Sequence, residues 1–189
     1  MGGTVDPETG EVIWDARVPI AEQPAFYNSH PPRALEGLTC TPIEPPAPPD
    51  FTFDGHGELV NAVFVLGCPC GSKLFTVVCT FDDGEVRSPI SVECSACDRD
   101  QDIFCTGKHG YDAEVIPETP QEAGECPETL AAKEIPAPHE VLVRFEYPSD
   151  VLGDPEWQGR EQDLFSWITI VARDPKTGEL AFLFDEECA

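Results

Sequence analysis

Two cysteine-containing turns decide how the centre of this chain folds: Cys68-Pro69-Cys70-Gly71 and Cys94-Ser95-Ala96-Cys97. The segment between them, residues 71–93, is long enough for two strands and a turn. A hairpin of this kind brings both turns together at its open end. Zinc-ribbon sites are built in this way, with four thiolates at about 2.3 Å from one tetrahedral ion. The sequence therefore predicts one zinc site, and its ligands are Cys68, Cys70, Cys94 and Cys97.

The predicted zinc is structural rather than catalytic, because four thiolates leave no coordination position for water or substrate. The second motif has the usual Cys-x-x-Cys spacing, and the first is one residue shorter. Sequence alone does not separate zinc from iron in a four-thiolate site. The alternatives are a set of reduced cysteines without metal, a redox pair formed by Cys94 and Cys97, and the replacement of one ligand by Cys105.

A different metal motif would use Cys79. The run Cys68-Pro69-Cys70-Gly71-Ser72, followed by Cys79, resembles the start of the short SEC-C zinc motif. That motif continues with a second cysteine or a histidine, where this chain has Thr80. Cys79 also shares the apolar face of a predicted strand with Phe75 and Val77, and a buried cysteine is an ordinary small hydrophobic residue. We therefore favour the four-cysteine site over this alternative.

Hydrophobic patterning predicts strands on both sides of the first cysteine turn. Residues 59–66 form a nearly continuous apolar run, which is typical of a buried strand. Residues 73–81 and 86–93 alternate between apolar and polar positions, and the turn between them, residues 82–85, contains a glycine. Pro89 indicates that the second of these strands has a free edge.

The C-terminal part of the chain predicts further β-structure. Apolar residues alternate over 141–147, and residues 164–173 and 180–184 flank a turn at Asp174-Pro175-Lys176-Thr177-Gly178. A near copy of that turn, Asp6-Pro7-Glu8-Thr9-Gly10, predicts a second hairpin. The predicted fold is mainly β, with a β-rich α+β fold as the alternative. It is a zinc-ribbon-like hairpin in a small antiparallel β domain with proline-rich arms.

We expect one compact domain made of four segments. Residues 1–50 form an irregular N-terminal arm with a proline-rich connector, and residues 51–116 form the zinc-ribbon-like unit. Residues 117–138 form an acidic, proline-rich loop with one short helical piece at Glu128–Glu134. Residues 139–189 supply C-terminal strands that pack on the ribbon.

The charge of the chain narrows the choice of partners. There are 36 acidic and 11 basic residues, which give a formal net charge of −25. Such a surface repels nucleic acid and anionic membranes, because phosphate binding needs lysine and arginine. It favours a basic protein partner and speeds the encounter with one. The alternative is that the charge serves only solubility or adaptation to a salty cytoplasm.

Targeting signals are not evident, and we expect a cytoplasmic protein. The N-terminal residues 1–6 have neither a basic flank nor an apolar stretch, and the chain contains no apolar run of membrane-spanning length. In a reducing compartment, closely spaced cysteines indicate metal or redox chemistry rather than a disulfide framework.

A second candidate site is the loop that contains His109, Tyr111 and Asp112 between two glycines. A histidine near an aspartate can act as a general base, but no nucleophile or open metal site accompanies this pair in the sequence. We interpret the three residues as a polar binding loop, and we expect no enzyme activity. The acidic runs, including Asp98, Asp100, Asp102 and residues 185–187, are interpreted as solvated turn charge.

One resemblance supports the zinc interpretation. The block from Cys68 to Asp112 and the tail Phe184-Asp185-Glu186-Glu187-Cys188-Ala189 resemble a group of small bacterial proteins. These proteins combine a zinc-ribbon hairpin, a His-Gly-Tyr-Asp loop and an acidic tail that ends in Glu-Cys-Ala. The resemblance implies a bacterial zinc protein and carries no catalytic residue over to this chain.

The sequence therefore favours a non-enzymatic, acidic, zinc-stabilised binding module. An immunity or inhibitor protein that neutralises a basic, nucleic-acid-acting protein fits this description, since such targets carry cationic grooves. One alternative is a structural or assembly protein with zinc and no inhibitory role. The other is a small enzyme that uses His109 and Asp112.

Overall fold

The computed structural model describes residues 3–5, 12–14, 17–43, 59–82, 85–105, 132–134 and 138–188. These residues form a mainly β structure, which confirms the predicted fold class. Two antiparallel sheets face each other. A separate two-stranded ribbon pairs β1 (Gly3–Val5) with β2 (Val12–Trp14), as the hairpin prediction required, although the turn itself lies outside the described residues.

The larger sheet, called sheet I, has five antiparallel strands. In spatial order they are β11 (Leu180–Glu187), β10 (Trp167–Arg173), β9 (Glu140–Pro148), β4 (Leu59–Gly67) and β3 (Thr39–Pro42). The predicted C-terminal hairpin is confirmed: Asp174 donates its backbone N–H to the Glu179 carbonyl at 2.9 Å, and Gly178 takes a φ of +76° in the turn. That backbone conformation explains the glycine at the end of the turn motif.

The smaller sheet, called sheet II, has four antiparallel strands. In spatial order they are β7 (Asp100–Phe104), β6 (Glu85–Cys94), β5 (Phe75–Asp82) and β8 (Ala132–Glu134). The predicted hairpin between the two cysteine turns is β5–β6. Pro89 lies on β6 just before the stretch, Ile90 to Glu93, that pairs with β7. Pro89 falls at the register shift of the β5–β6 pairing, and among the described residues only 90–93 of β6 lie between two strands, so the predicted free edge holds for the part of β6 before Ile90.

Two segments differ from the sequence prediction. Residues 132–134 form β8 and pair with β5, so the short helical piece predicted at Glu128–Glu134 is wrong over these residues; residues 128–131 lie outside the described part. The N-terminal arm was predicted to be irregular, but it contains α1 (Gln23–Ser29) and short 3-10 turns. Pro24 starts this helix in its first turn, where a missing N–H costs no hydrogen bond.

The N-terminal segment is part of the core because it packs on the face of sheet I that also faces sheet II. Tyr27 of α1 is fully buried and stacks on Tyr147 of β9, with ring centroids 3.7 Å apart and planes 11° apart. The amide of Gln23 donates to the carbonyls of Val18 and Ser149 at 2.9 and 2.7 Å. Arg33 forms an ion pair with Asp163.

The main core lies between the two sheets as one continuous cluster of buried side chains. Sheet I contributes the predicted alternating face of β9 together with β4 and β10, and sheet II contributes β5, β6 and β7. A smaller cluster covers the opposite face of sheet I and contains Val63, Leu142 and Val171. β9 is therefore buried on both faces, as a central strand with cover on each side should be. No described helix is long and apolar enough to cross a membrane.

Two phenylalanines provide a direct test of this core. Phe145 is fully buried at the centre of β9, whereas Phe182 of β11 is 53% exposed. Phe145→Ala should lower the free energy of unfolding by about 3–5 kcal/mol, because it opens a cavity between the sheets. Phe182→Ala should cost less than about 1 kcal/mol. Denaturant unfolding measures both, and similar losses for the two variants would contradict the described packing.

Candidate metal centre

The two cysteine turns lie at the point where the chain passes from one sheet to the other. The first turn follows β4 of sheet I and precedes β5 of sheet II, and the second follows β6 of sheet II. Phe75, which begins β5, pairs with Cys94, which ends β6, so both turns sit at the open end of the same hairpin. The cluster therefore joins the two sheets as well as the two strands of the hairpin.

The first turn is closed by its own backbone. Cys68 donates its N–H to the Ser72 carbonyl, and Gly71 donates to the Cys68 carbonyl, both at 2.8 Å. Gly71 has a φ of +96°, a conformation that side chains with a Cβ rarely adopt. This compact turn points both sulfurs of the short Cys-x-Cys motif to the same side.

The second turn is fixed to the first by the residue before β5. Ser95 donates both its backbone N–H and its hydroxyl to the Leu74 carbonyl, at 3.1 and 2.9 Å. Within the turn, Asp98 donates its N–H to the Cys94 carbonyl at 3.0 Å and adopts a φ of +56°, which aspartate tolerates better than most residues. The backbone N–H of Ala96 points at the Cys94 sulfur, 3.5 Å away.

The four predicted sulfurs converge in this structure. The Sγ atoms of Cys68, Cys70, Cys94 and Cys97 all lie within 4.8 Å of one another. The Cys68–Cys97 and Cys70–Cys94 pairs are each 3.6 Å apart. Sulfurs about 2.3 Å from a tetrahedral ion are separated by about 3.8 Å, so the cluster has the dimensions of a four-thiolate metal site. The distances are too long for disulfide bonds.

Burial differs between the two members of each motif. Cys68 and Cys94 are buried, whereas Cys70 and Cys97 are exposed. The inner pair is continuous with the core between the sheets, and the outer pair closes the cluster toward solvent. A metal bound here would be held by the fold on one side and would remain reachable by chelators on the other.

The pKa shifts of the cysteine thiols in the cluster are consistent with a site that binds a cation. Burial raises the pKa of Cys94, but hydrogen bonds from the Ala96 N–H and from the Cys70 thiol outweigh it and bring the pKa to about 6. At Cys97, a hydrogen bond from the Arg99 backbone lowers the pKa, but the other three sulfurs outweigh it and the pKa rises to about 12. One thiolate is thus stabilised by neighbouring protonated thiols, and a metal ion would displace those protons.

The alternative ligands lie elsewhere in the fold. Cys79 is buried on the core-facing side of β5, opposite Ile90, and is not in the cluster, so the SEC-C interpretation is wrong. Cys105 is buried and disulfide-bonded, and therefore does not replace a metal ligand; its disulfide was not predicted. Burial raises the pKa of Cys40 to about 11 and that of Cys188 to about 12, which keeps both as thiols.

The second candidate site is not tested. His109, Tyr111 and Asp112 lie outside the described residues, so their role as a polar binding loop stays a prediction. The acidic runs were interpreted as solvated turn charge, but Asp100 and Asp102 lie on β7 and residues 185–187 lie on β11, so the turn placement is wrong for them. Asp185 is nevertheless exposed to solvent. Its carboxylate accepts hydrogen bonds from Trp167 Nε1 at 2.7 Å and from the Thr169 hydroxyl at 2.6 Å.

Asp185 lies on the exposed side of a charge cluster that sequence reasoning missed, and the other members of the cluster are buried. Arg144 and Glu146 of β9 are only 2% and 4% exposed, and their side chains form an ion pair at 3.1 Å. Arg144 also donates to the Thr169 hydroxyl at 2.9 Å and lies 4.0 Å from Asp185. Burial lowers the pKa of Arg144, and the two carboxylates oppose that shift. Alternation on β9 marked these positions only as polar.

Comparison with protein families, with curated proteins and with solved structures finds no match to this chain. The four-cysteine cluster is consistent with a zinc-ribbon-like site and makes the described unit a candidate metal-stabilised module. Its function therefore has to be argued from the site and from the surface.

Replacing an exposed ligand separates metal binding from packing. Cys70 is exposed, so Cys70→Ser removes little buried surface but should reduce the bound metal well below one ion per chain. The free energy of unfolding should fall by about 2 kcal/mol or more, since the metal binds only the folded state. Cys40→Ser is the matched control and should keep the metal. Elemental analysis and denaturant unfolding measure both, and a fully loaded Cys70→Ser protein would contradict the assignment.

Proposed function

We propose that the protein is a non-enzymatic binding module, stabilised by a structural zinc ion, whose acidic surface engages a basic protein. The proposed role is that of an immunity or inhibitor protein that neutralises a nucleic-acid-acting toxin or effector. Such targets carry cationic grooves, and a strongly acidic protein competes with the phosphate backbone for them. The observation that carries the proposal is the formal net charge of −25.

The described arginines neutralise little of the negative charge at the protein surface. Four of them are held in ion pairs within the fold, which are Arg17–Asp154, Arg33–Asp163, Arg144–Glu146 and Arg173–Glu140. Because the chain has 36 acidic and 11 basic residues, most carboxylates have no cation to pair with. The remaining surface therefore presents mainly negative charge to a partner.

Part of this charge lies where the edges of the two sheets meet. Phe104 of β7 packs against Phe184 of β11, with ring centroids 5.2 Å apart. Asp102 and Asp185 lie within two residues of this contact, on the edge strands of sheet II and sheet I. Asp185 is already close to Arg144, so the charge left for a partner beside this contact comes from Glu187, which is exposed at the end of β11.

The chemistry of the metal centre supports a structural role. Four thiolates complete a tetrahedral shell, which leaves no position for a reacting water. Among the described residues, this cluster is the one group of side chains placed to hold a metal ion. An all-sulfur donor set favours zinc over hard cations, and we take zinc rather than iron as the resident ion.

Binding to basic proteins at two salt concentrations tests the proposal. Between about 0.01 M and about 0.1 M salt, the screening length falls from about 30 Å to about 10 Å, so affinity for a cationic nuclease should drop at least about tenfold. Calorimetry with a panel of basic nucleases measures it, alongside inhibition of their activity.

A pair of charge variants serves as the control. Asp102→Asn combined with Glu187→Gln should weaken binding more than Glu22→Gln combined with Glu36→Gln, which removes the same charge from two exposed positions of the N-terminal segment. Absence of binding to every basic candidate at low salt would sink the proposal.

A further inference from the structure

The sulfurs of the metal centre contact each other across the two cysteine turns. The Sγ atoms of Cys68 and Cys97 are 3.6 Å apart, and so are those of Cys70 and Cys94. Each of these pairs takes one cysteine from the first turn and one from the second. A disulfide bond has an S–S distance of about 2.05 Å, so each contact has to shorten by about 1.5 Å to form one. The four atoms that suit one metal ion are therefore also arranged as two pairs for disulfide formation.

Each cross-turn pair combines an accessible sulfur with a protected one. Cys70 and Cys97 are exposed, whereas Cys68 is 3% exposed and Cys94 is fully buried. Oxidants react with a thiolate that solvent reaches, and a second cysteine beside it then completes the disulfide. The outer sulfurs are therefore placed to react first, and the inner sulfurs are placed to displace the oxidised group.

The same fold already contains an oxidised cysteine close to this centre. Cys105 directly follows β7, is fully buried and is disulfide-bonded. Strand β7 pairs with β6, which ends at Cys94. Disulfides persist where the surroundings are oxidising. A chain that keeps a disulfide here therefore meets conditions in which the exposed sulfurs of the cluster are open to oxidation.

We propose that the four-cysteine cluster is a thiol-oxidation site with two states. The reduced state holds zinc, and the oxidised state is free of metal and carries the disulfides Cys68–Cys97 and Cys70–Cys94. The inference rests on the metal assignment and does not use the acidic surface. Disulfide sulfurs are not the thiolates that a metal ion needs, so the oxidised chain holds no zinc.

The oxidant of this reaction is a hydroperoxide, and the step is the same for each disulfide. An outer thiolate attacks the O–O bond and becomes a sulfenic acid, while the other oxygen leaves as water or an alcohol. The inner thiolate then attacks the oxidised sulfur, and its hydroxyl group leaves as water. The two sulfurs lose two electrons, which reduce the O–O bond, and two protons from solvent complete the oxygen products.

The cross-turn pairing decides what oxidation does to the fold. Both proposed disulfides join the first turn to the second, so the crossover between the sheets stays linked after the metal is lost. Disulfides within the motifs, Cys68–Cys70 and Cys94–Cys97, would leave the two turns without a link. A covalent link between distant parts of the chain restricts the unfolded state. Oxidation in the proposed pairing therefore preserves the fold.

Peptide mapping of the oxidised protein tests the pairing. The full-length, zinc-loaded protein is treated with hydrogen peroxide, its remaining thiols are alkylated, and it is digested with trypsin without reduction. Cleavage after lysine and arginine places the first turn on residues 34–73 and the second on residues 88–99. Mass spectrometry should find these peptides joined, with a mass four hydrogen atoms below their sum, and fragmentation should assign the two bonds. Separate peptides, each with an internal disulfide, would overturn the inference.

Metal release and stability give two further readouts. A chromogenic chelator should detect about one zinc ion per chain, released in step with the disulfides. The oxidised, metal-free protein should unfold cooperatively, with a higher midpoint than protein stripped of metal under a thiol reductant. A dithiol reductant followed by zinc should restore the loaded form. Sulfinic acids on the exposed cysteines in place of disulfides, or a midpoint no higher than that of the reduced metal-free protein, would contradict the proposal.

Two variants check that the reaction belongs to the cluster. Cys40→Ser is the matched control, because Cys40 lies outside the cluster but on the same tryptic peptide as the first turn. It should change neither the zinc release nor the link between the peptides. Cys97→Ser removes one pair and should leave Cys70–Cys94 as the link; a bond from Cys68 to Cys94 instead would overturn the pairing. The mapping of the unmodified chain decides the question if Cys97→Ser does not fold.

The outcomes separate this inference from the other assignments. If the reduced protein takes up no zinc, the inference fails together with the metal assignment. If it takes up zinc but the tryptic peptides stay separate after oxidation, the inference alone fails. Salt-dependent binding to basic nucleases is measured independently, so the proposed function stands or falls on its own test.

Discussion

The meeting of four cysteine sulfurs at the crossover between the sheets is the constraint on which the rest of the structure depends. Sheet I reaches the cluster through the end of β4, and sheet II reaches it through the ends of β5 and β6. Next to it, Phe75 and His139 exchange backbone hydrogen bonds at 2.8 Å, which ties β5 to the start of β9. A structural zinc ion contributes about 10–16 kcal/mol in small zinc modules, as much as the whole stability of a typical domain.

This arrangement explains why the chain can be rich in loops and still build a core. The core between the sheets forms only when the two sheets face each other in one relative orientation, and the cysteine cluster fixes that orientation at one end. Toward the other end of β9, on the same core-facing side, Tyr27 and the Arg33–Asp163 pair hold the N-terminal segment against β9 and the loops that follow it.

The central part of the fold could be predicted because its signals are local. The cysteine turns, the alternation of β5 and β6, and the Asp-Pro-x-x-Gly turn each fix a short segment without reference to the rest of the chain. The features that could not be predicted depend on contacts between residues that are far apart in the sequence. Of the helical piece expected at Glu128–Glu134, residues 132–134 instead form a strand that pairs with β5. Helix α1 is held in place because Tyr27 stacks on a strand that lies far along the sequence. Arg144 and Glu146 were polar positions in the pattern, and only the three-dimensional neighbours show that they are buried together.

The same limit applies to the sites. The four metal ligands were found because thiol spacing carries its chemistry in the sequence, and the structure brings those sulfurs within 4.8 Å. Charge could indicate a basic partner but not where that partner binds.

Hydrogen exchange of the metal-loaded protein, before and after removal of the metal by a chelator, tests the central claim most directly. The account predicts that removal abolishes amide protection at both ends of the crossover, in β4 and in the β5–β6 hairpin, with loss of cooperative unfolding. Protection that stays unchanged in these strands, in a protein shown to be free of metal, would contradict it.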